Sequence, residues 1–170
     1  MNTDDELPDE STETGSDELL SDDNLRLPES ASPLVRLHAI RAWLARRQKE
    51  TTLEIGEAAL TLQHRLQQEP QEPRLRRRER QNYAEQIQHT QQMLTEAQQH
   101  LSAYEEAQAL LDDCITHTTT GERVLVEYYL TLEEMVQNRV QAGESEHSPR
   151  LQALTEVQHR VERVGVPYEE

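Results

Sequence analysis

Hydrophobic side chains recur along this chain at helical spacing, and the pattern is longest between Tyr83 and Ile115. Steps of four and three give Tyr83, Ile87, Thr90, Leu94, Ala97, Leu101, Tyr104, Gln108, Leu111 and Ile115, eight of the ten apolar or aromatic on a background of Gln, Glu and His. A seam sustained over more than four heptads predicts a long helix that buries one narrow face against another helix. Thr90 and Gln108 put polar groups into that seam, which favours one register over maximal stability.

A partner for this helix precedes it. Ser32 followed by Pro33 is a helix start, because Ser caps free N–H groups and Pro at the first helical position loses nothing. From there to about Gln68 one stripe repeats every eleven residues as Leu37, Ile40, Leu44, then Gln48, Thr51, Ile55, then Ala59, Leu62, Leu66. A weaker second stripe of Val35, Ala39, Ala42, Leu53 and Leu60 lies roughly opposite and implies a second neighbour. Pro70 and Pro73 break the ladder, and so short a connection makes the two helices antiparallel. A turn centred near Gln71 opposes Tyr83 to Ala59, Ile87 to Ile55, Leu94 to Gln48, Leu101 to Ile40 and Tyr104 to Leu37 or His38.

After a polar run from Thr116 to Thr120, Thr119 and Glu122 have capping-box spacing and predict a third helix from Gly121 to about Gln141. Its stripe is Leu125, Tyr129, Leu132, Val136 and Val140. Residues 124–132 also alternate as a strand would, but no second strand is on offer to pair with them. Ser148 and Pro149 open a last short helix, closed by Gly165, with Leu151, Leu154, Val157, Val161 and Val164 on its face. The expected fold is all-α: a long antiparallel, coiled-coil-like helical hairpin carrying a third helix and, less firmly held, a fourth. The expected divisions are a disordered acidic tail over 1–31, the hairpin and third helix over 32–141, a linker over 142–148, and a C-terminal helix and tail over 149–170.

Composition narrows the functions open to such a fold. With 34% hydrophobic residues, 4% aromatic and no Phe, the chain suits helices that each bury a single stripe. A net charge of −16 opposes non-specific binding of nucleic acid or anionic membranes by the molecule as a whole. No stretch approaches a membrane span, and the acidic N-terminus lacks the marks of a signal or transit peptide, which makes the cytoplasm the expected location. Cys114 is the single cysteine, so no intramolecular disulfide forms. Residues 1–31 carry eleven acids against Arg26 alone, too polar to offset their own ordering entropy. Within them, Asp17 to Leu27 alternates acids with leucines, a pattern read either as a solubilising tail or as a docking motif that folds on a partner.

Two basic runs stand against this acidity. Arg36, Arg41, Arg46, Arg47 and Lys49 lie in the first helix, where the expected register brings Glu96, Glu105 and Glu106 alongside, with Asp112 and Asp113 just beyond. The second run, Arg74, Arg76, Arg77, Arg78 and Arg80, falls at the hairpin tip with few acids near, and at a helix start where positive charge opposes the dipole. A solvated tip, a dock for an acidic partner or the protein's own tail, and a phosphate contact are the competing readings. Trp43 lies on neither stripe and is read as packing at a helix contact or as an interface anchor.

Nothing in the sequence resembles a catalytic motif. Glu156 with His159, and Glu144 with His147, have the Glu-x-x-His spacing of di-metal bundles, but the seam of the second long helix holds no acid to complete a site. Cys114 and His117 supply two zinc ligands of the four a structural site needs. The expected function is therefore a non-enzymatic, self-associating coiled-coil interaction or scaffold protein with protein partners, no cofactor, no metal and no small-molecule substrate. The partner-binding candidates are Arg74, Arg76, Arg77, Arg78, Arg80 and Trp43. A regulator of nucleic-acid transactions and a metal-binding bundle are the alternatives.

Overall fold

Five helices form in chain order: α1 over Glu13–Leu20, α2 over Pro33–Gln67, α3 over Arg77–His117, α4 over Gly121–Gln141 and α5 over Pro149–Val164. They are seen in a computed structural model that describes residues 13–69 and 76–165. The chain is all-α, with no strand among the described residues, and α2 and α3 form the long antiparallel hairpin. Residues 124–132 are helical, with Val124, Leu125, Tyr128 and Leu132 buried at helical spacing. The starts of α2 and α5 follow their sequence signals: Ser32 Oγ accepts from Val35 N–H, Ser148 Oγ accepts from Leu151 N–H, and a proline takes the first helical position in each. α4 instead has Thr120 at its cap with no side-chain bond there, while Thr118 donates to Glu127 at 2.6 Å, so the expected Thr119–Glu122 box does not form.

The hairpin register differs from the expected one by roughly three helical turns. Gln48 reaches the Tyr104 carbonyl at 3.4 Å, where Leu94 was its expected neighbour, and Arg41 meets Asp112 at 2.7 Å. The connection does not set this: α2 stops at Gln67 and α3 starts at Arg77, where the Glu79 carboxylate accepts from Arg76 N–H at 3.2 Å, so the turn stays close to Gln71 while the contacts in the bundle stagger the two helices. The slip also reassigns charge partners, since Glu106 now faces α4 and α5 instead of the basic run on α2.

One core joins the first part of α2, the second part of α3, and α4 and α5. Trp43 and Tyr104 meet edge to face at its centre, with ring centroids 6.1 Å apart. Ala39, Ala103 and Ala107 are fully buried, small residues that let neighbouring helices approach closely. Tyr128 is buried and donates to the Ala107 carbonyl at 2.9 Å, tying α4 to α3. α5 is an integral layer of this core, not an appended helix: its entire expected face is buried, with Leu154, Val157, Val161 and Val164 in the central cluster. The expected linker is a tight turn, with Gly143 at φ 91° and its N–H bonded to the Val140 carbonyl.

Two glycines fit the ends together. A Cβ on Gly121 would lie 3.0 Å from the Pro33 Cβ, so α4 starts against α2 at close range. Gly165 closes α5 at φ 87°, and the Arg36 guanidinium occupies the space a side chain would need.

The acidic segment also departs from expectation. Residues 1–12 and 166–170 lie outside the described residues, but 13–31 form a strap across the bundle. It comprises α1, a turn and an irregular run to Ala31, in which Leu20, Leu25 and Leu27 pack on the core and Ser21 is buried. Its composition cannot sustain a fold alone; arginines and Trp43 on the bundle supply the contacts that order it.

Because α5 is core and the outer face of α2 is not, matched substitutions should behave differently. Leu154→Ala is expected to cost about 2–5 kcal/mol in denaturant unfolding. Leu60→Ala, at a site 67% exposed, should change stability by no more than about 0.5 kcal/mol.

Candidate partner-binding surfaces

The fully packed bundle ends abruptly along the hairpin. Among residues 52–69 and 76–96, Thr90 is the sole buried side chain. Here α2 and α3 have only each other, forming a two-helix arm about 25–30 Å long. The α2 side of its seam is Ile55, Ala58, Leu62 and Arg65, a heptad spacing that replaces the eleven-residue stripe and leaves Ala59 and Leu66 exposed. Across from it, Tyr83, Ile87 and Leu94 are half-buried, as the seam on α3 predicts.

The arm's interior is partly polar. Arg65 turns inward and donates to the Gln86 carbonyl at 2.8 Å and to Thr90 Oγ1 at 2.5 Å, while Thr90 in turn donates to the Gln86 carbonyl. Tyr83 donates to the Arg65 carbonyl at 3.1 Å. Thr90 therefore fixes the register of the arm through Arg65. On the outer face Leu53 and Leu60 are 60% and 67% exposed, and Met93 on α3 is 51% exposed. The inward position of Ala39 splits the second stripe of α2, so that Val35 stays exposed at the bundle end and Leu53 and Leu60 form the outer face of the arm.

Of the candidate arginines, Arg74 lies outside the described residues. Arg76, Arg77, Arg78 and Arg80 are exposed on the first turns of α3, at the far end of the arm. Trp43 is elsewhere: it is 2% exposed in the bundle, about two-thirds of the length of α2 away, and a partner does not reach it in this arrangement. The apolar start of α4 is spent on the core through Val124, Leu125 and Tyr128, which leaves Leu130 55% exposed.

The basic run on α2 is answered within the chain. Arg41 pairs with Asp112, Arg46 with Asp23 and Glu50, and Arg47 with Glu50 and Glu156. Arg47 also donates to Tyr104 Oη at 3.0 Å, and Tyr104 donates to Glu156 at 2.5 Å, so one polar triad joins α2, α3 and α5. Burial, and then the hydrogen bond to Glu156, pushes the Tyr104 phenol above its ordinary value. Glu156 is thereby committed to Tyr104 and Arg47. Cys114 is buried, and burial followed by the charges of Glu127 and Asp113 raises its thiol pKa, which makes it unreactive at neutral pH. His117 pairs with Asp113 at 3.2 Å. Among the described residues no three His, Cys, Asp or Glu side chains converge on a metal position, and no helix is long and apolar enough to cross a membrane.

A second surface, which sequence reasoning missed, lies under the strap. Trp43 Nε1 donates to Asp23 Oδ1 at 2.7 Å and Arg46 reaches the same oxygen at 2.5 Å. Arg160, on α5 and 2% exposed, donates to the carbonyls of Asp22 at 2.6 Å and Leu20 at 2.7 Å. Arg163 donates to the Asp23 carbonyl. Partial burial opposes ionisation of Asp23, but the bonds from Trp43 and Arg46, together with the charges of Arg46 and Arg47, outweigh it and hold its carboxyl below the ordinary value. The strap thus docks on α2 and α5, not on the arginines of the hairpin tip. Arg160 and Arg163 gave no signal in the sequence beyond lying on a short helix.

Comparison with known protein families, with characterised proteins and with solved structures finds no match to this chain.

Glu106 offers a pH test of the far side of the bundle. It accepts from Arg139 at 3.1 Å and from Arg150 at 2.5 Å. Burial raises its carboxyl pKa, but those two arginines prevail and hold it below the ordinary 4.5. A lowered native value means the stabilisation is complete above pH about 4.5 and disappears as pH falls through the native value. Glu106→Gln should cost about 1–2 kcal/mol at pH 7, allowing for screening at a site one-third exposed. The difference from wild type should shrink at pH about 3 in urea melts.

Proposed function

We propose that this chain is a non-enzymatic interaction protein, a scaffold that self-associates through its two-helix arm and docks acidic protein partners on the arginines at the arm's end. The observation that carries this reading is the arm's incomplete burial. Leu53 and Leu60, seven residues apart on one face of α2, are 60% and 67% exposed, whereas Ile40 and Leu44 on the same helix are at 0%. A two-helix arm with outward leucines gains by packing into a four-helix arrangement, the ordinary solution for antiparallel hairpins. Gly56 sits between the two leucines with open space where its Cβ would be, which permits close approach of a second backbone.

At the end of the arm, Arg76, Arg77 and Arg78 present planar, permanently charged donors suited to carboxylates. The same side chains suit phosphate, which keeps a nucleic-acid contact as the second reading. The net charge of −16 weighs against it, because the rest of the molecule repels a polyanion while a compact acidic motif on a folded partner meets less of that field. The metal-binding alternative has no cluster of ligands in its support among the described residues.

Sedimentation equilibrium tests the self-association. The wild-type mass is expected to rise above 19.7 kDa with concentration, and the double substitution Leu53→Glu, Leu60→Glu to hold it at the monomer value with helix content unchanged. A wild-type mass that stays monomeric at every concentration contradicts the proposal. For the tip, the triple reversal of Arg76, Arg77 and Arg78 to Glu should abolish salt-sensitive binding to polyglutamate. Binding to a duplex oligonucleotide and not to polyglutamate would transfer the tip to the nucleic-acid reading.

A further inference from the structure

The contacts beneath the strap have the chemistry of a peptide site. Four groups on two helices, Trp43 and Arg46 of α2 with Arg160 and Arg163 of α5, converge on residues 20–23. Three of their hydrogen bonds go to main-chain carbonyls, those of Leu20, Asp22 and Asp23, which a peptide presents when it follows the same helix end and turn. Side-chain recognition rests on the Asp23 carboxylate, on the exposed Asp17 carboxylate 2.9 Å from His38 Nε2, and on the half-buried leucines at 20, 25 and 27. Arg160 lies over the Trp43 ring at 5.9 Å, so the floor of the groove is an aromatic face and its walls are cationic.

The occupant is lightly held. α1 spans eight residues, too short to persist without tertiary support. Asp23 is 54% exposed at its side chain, Leu19 is 72% exposed, and the bonds from Arg46 and Arg163 lie at the solvent boundary, whereas those from Trp43 and Arg160 come from buried donors. Arg36 anchors the segment's far end by donating to the carbonyls of Pro28, Glu29 and Ala31. That anchor keeps the residues before it at high local concentration over the groove after they detach.

We propose that the groove formed by Trp43, Arg46, Arg160 and Arg163 is a docking site for acidic, leucine-bearing peptide segments of partner proteins, and that residues 17–27 are its ligand held in cis. A partner segment carrying a carboxylate between leucines displaces the strap by satisfying the same donors. The site is separate from the arm and stands whether or not the arm self-associates. Because the tethered ligand competes at an effective concentration on the order of millimolar, a free peptide binds the intact protein weakly and binds it well once the strap is disabled.

Trp43 is the single tryptophan of the chain, so its fluorescence reports the groove directly. The experiment uses the full chain carrying Leu20→Ala and Asp23→Ala, with a synthetic peptide of residues 16–31 as probe. The expected result is a red-shifted emission and a severalfold rise in acrylamide quenching, with helix content and cooperative melting retained. Added peptide should restore both signals, and a peptide with Ala in place of Asp23 should not. Arg160→Ala in the same background should abolish the restoration. In the wild-type chain the peptide should leave Trp43 unchanged at micromolar concentration. The proposal is overturned if Trp43 stays shielded in the double variant, if cooperative melting is lost because the strap is a structural member and not a ligand, or if the groove opens and the peptide fails to refill it.

Discussion

The edge-to-face contact between Trp43 and Tyr104 is where the helices of this protein are held to one another. Trp43 brings α2, Tyr104 brings α3, and the polar ends of the two rings reach in different directions. The Tyr104 hydroxyl runs through Glu156 and Arg47 to α5, and the Trp43 indole runs to Asp23 and the strap. Arg47 stacks near both rings, at 5.9 and 5.4 Å, so it is held by cation–π attraction as well as by carboxylates. Because each link is directional, this node sets the hairpin register, the seat of α5 and the path of the acidic segment together. The node is one-sided: beyond Thr51 nothing comparable joins α2 to α3, and the arm relies on half-buried aliphatic residues and the Arg65–Thr90 contact.

That asymmetry divides the molecule into two physically different halves. The bundle end satisfies its own charge, with Glu106 answering Arg139 and Arg150 and Asp112 answering Arg41. The arm leaves leucines outward and arginines at its end. The strap groove is the exception on the bundle, a place where cationic and aromatic groups are covered by a segment of low intrinsic stability. An arm for assembly and a groove for peptides would let one small chain join copies of itself while receiving another protein.

Much of the architecture was legible because helical periodicity survives in single residues. The seam from Tyr83 to Leu111 and the whole face of α5 were readable, as were the Ser-Pro starts of α2 and α5, since each reflects a local rule. Register was not, because the turn between Gln67 and Arg77 stays near its expected place and the slip is set by long-range contacts around Trp43 and Tyr104 that no local rule reveals. Ile115 stood in the expected seam but is 38% exposed, its place taken by Cys114 where α4 crosses. Ala103 and Ala107 were passed over because alanine carries no strong polarity signal, although close packing of several helices demands it. The strap was read as unfolded because composition speaks of what a segment can do alone; Arg160, the buried cation that orders it, lies well over one hundred residues away in sequence.

Hydrogen–deuterium exchange at two protein concentrations tests the division between bundle and arm most directly. At dilution the amides of residues 39–51, 97–114 and 121–164 should be strongly protected and those of 52–67 and 77–96 should exchange as a faster unit. Raising the concentration should slow exchange along the arm, centred on Leu53 to Leu60, and leave the bundle unchanged. Arm protection equal to the bundle's at dilution, or indifferent to concentration, would contradict an arm that is marginal alone and completed by a second copy.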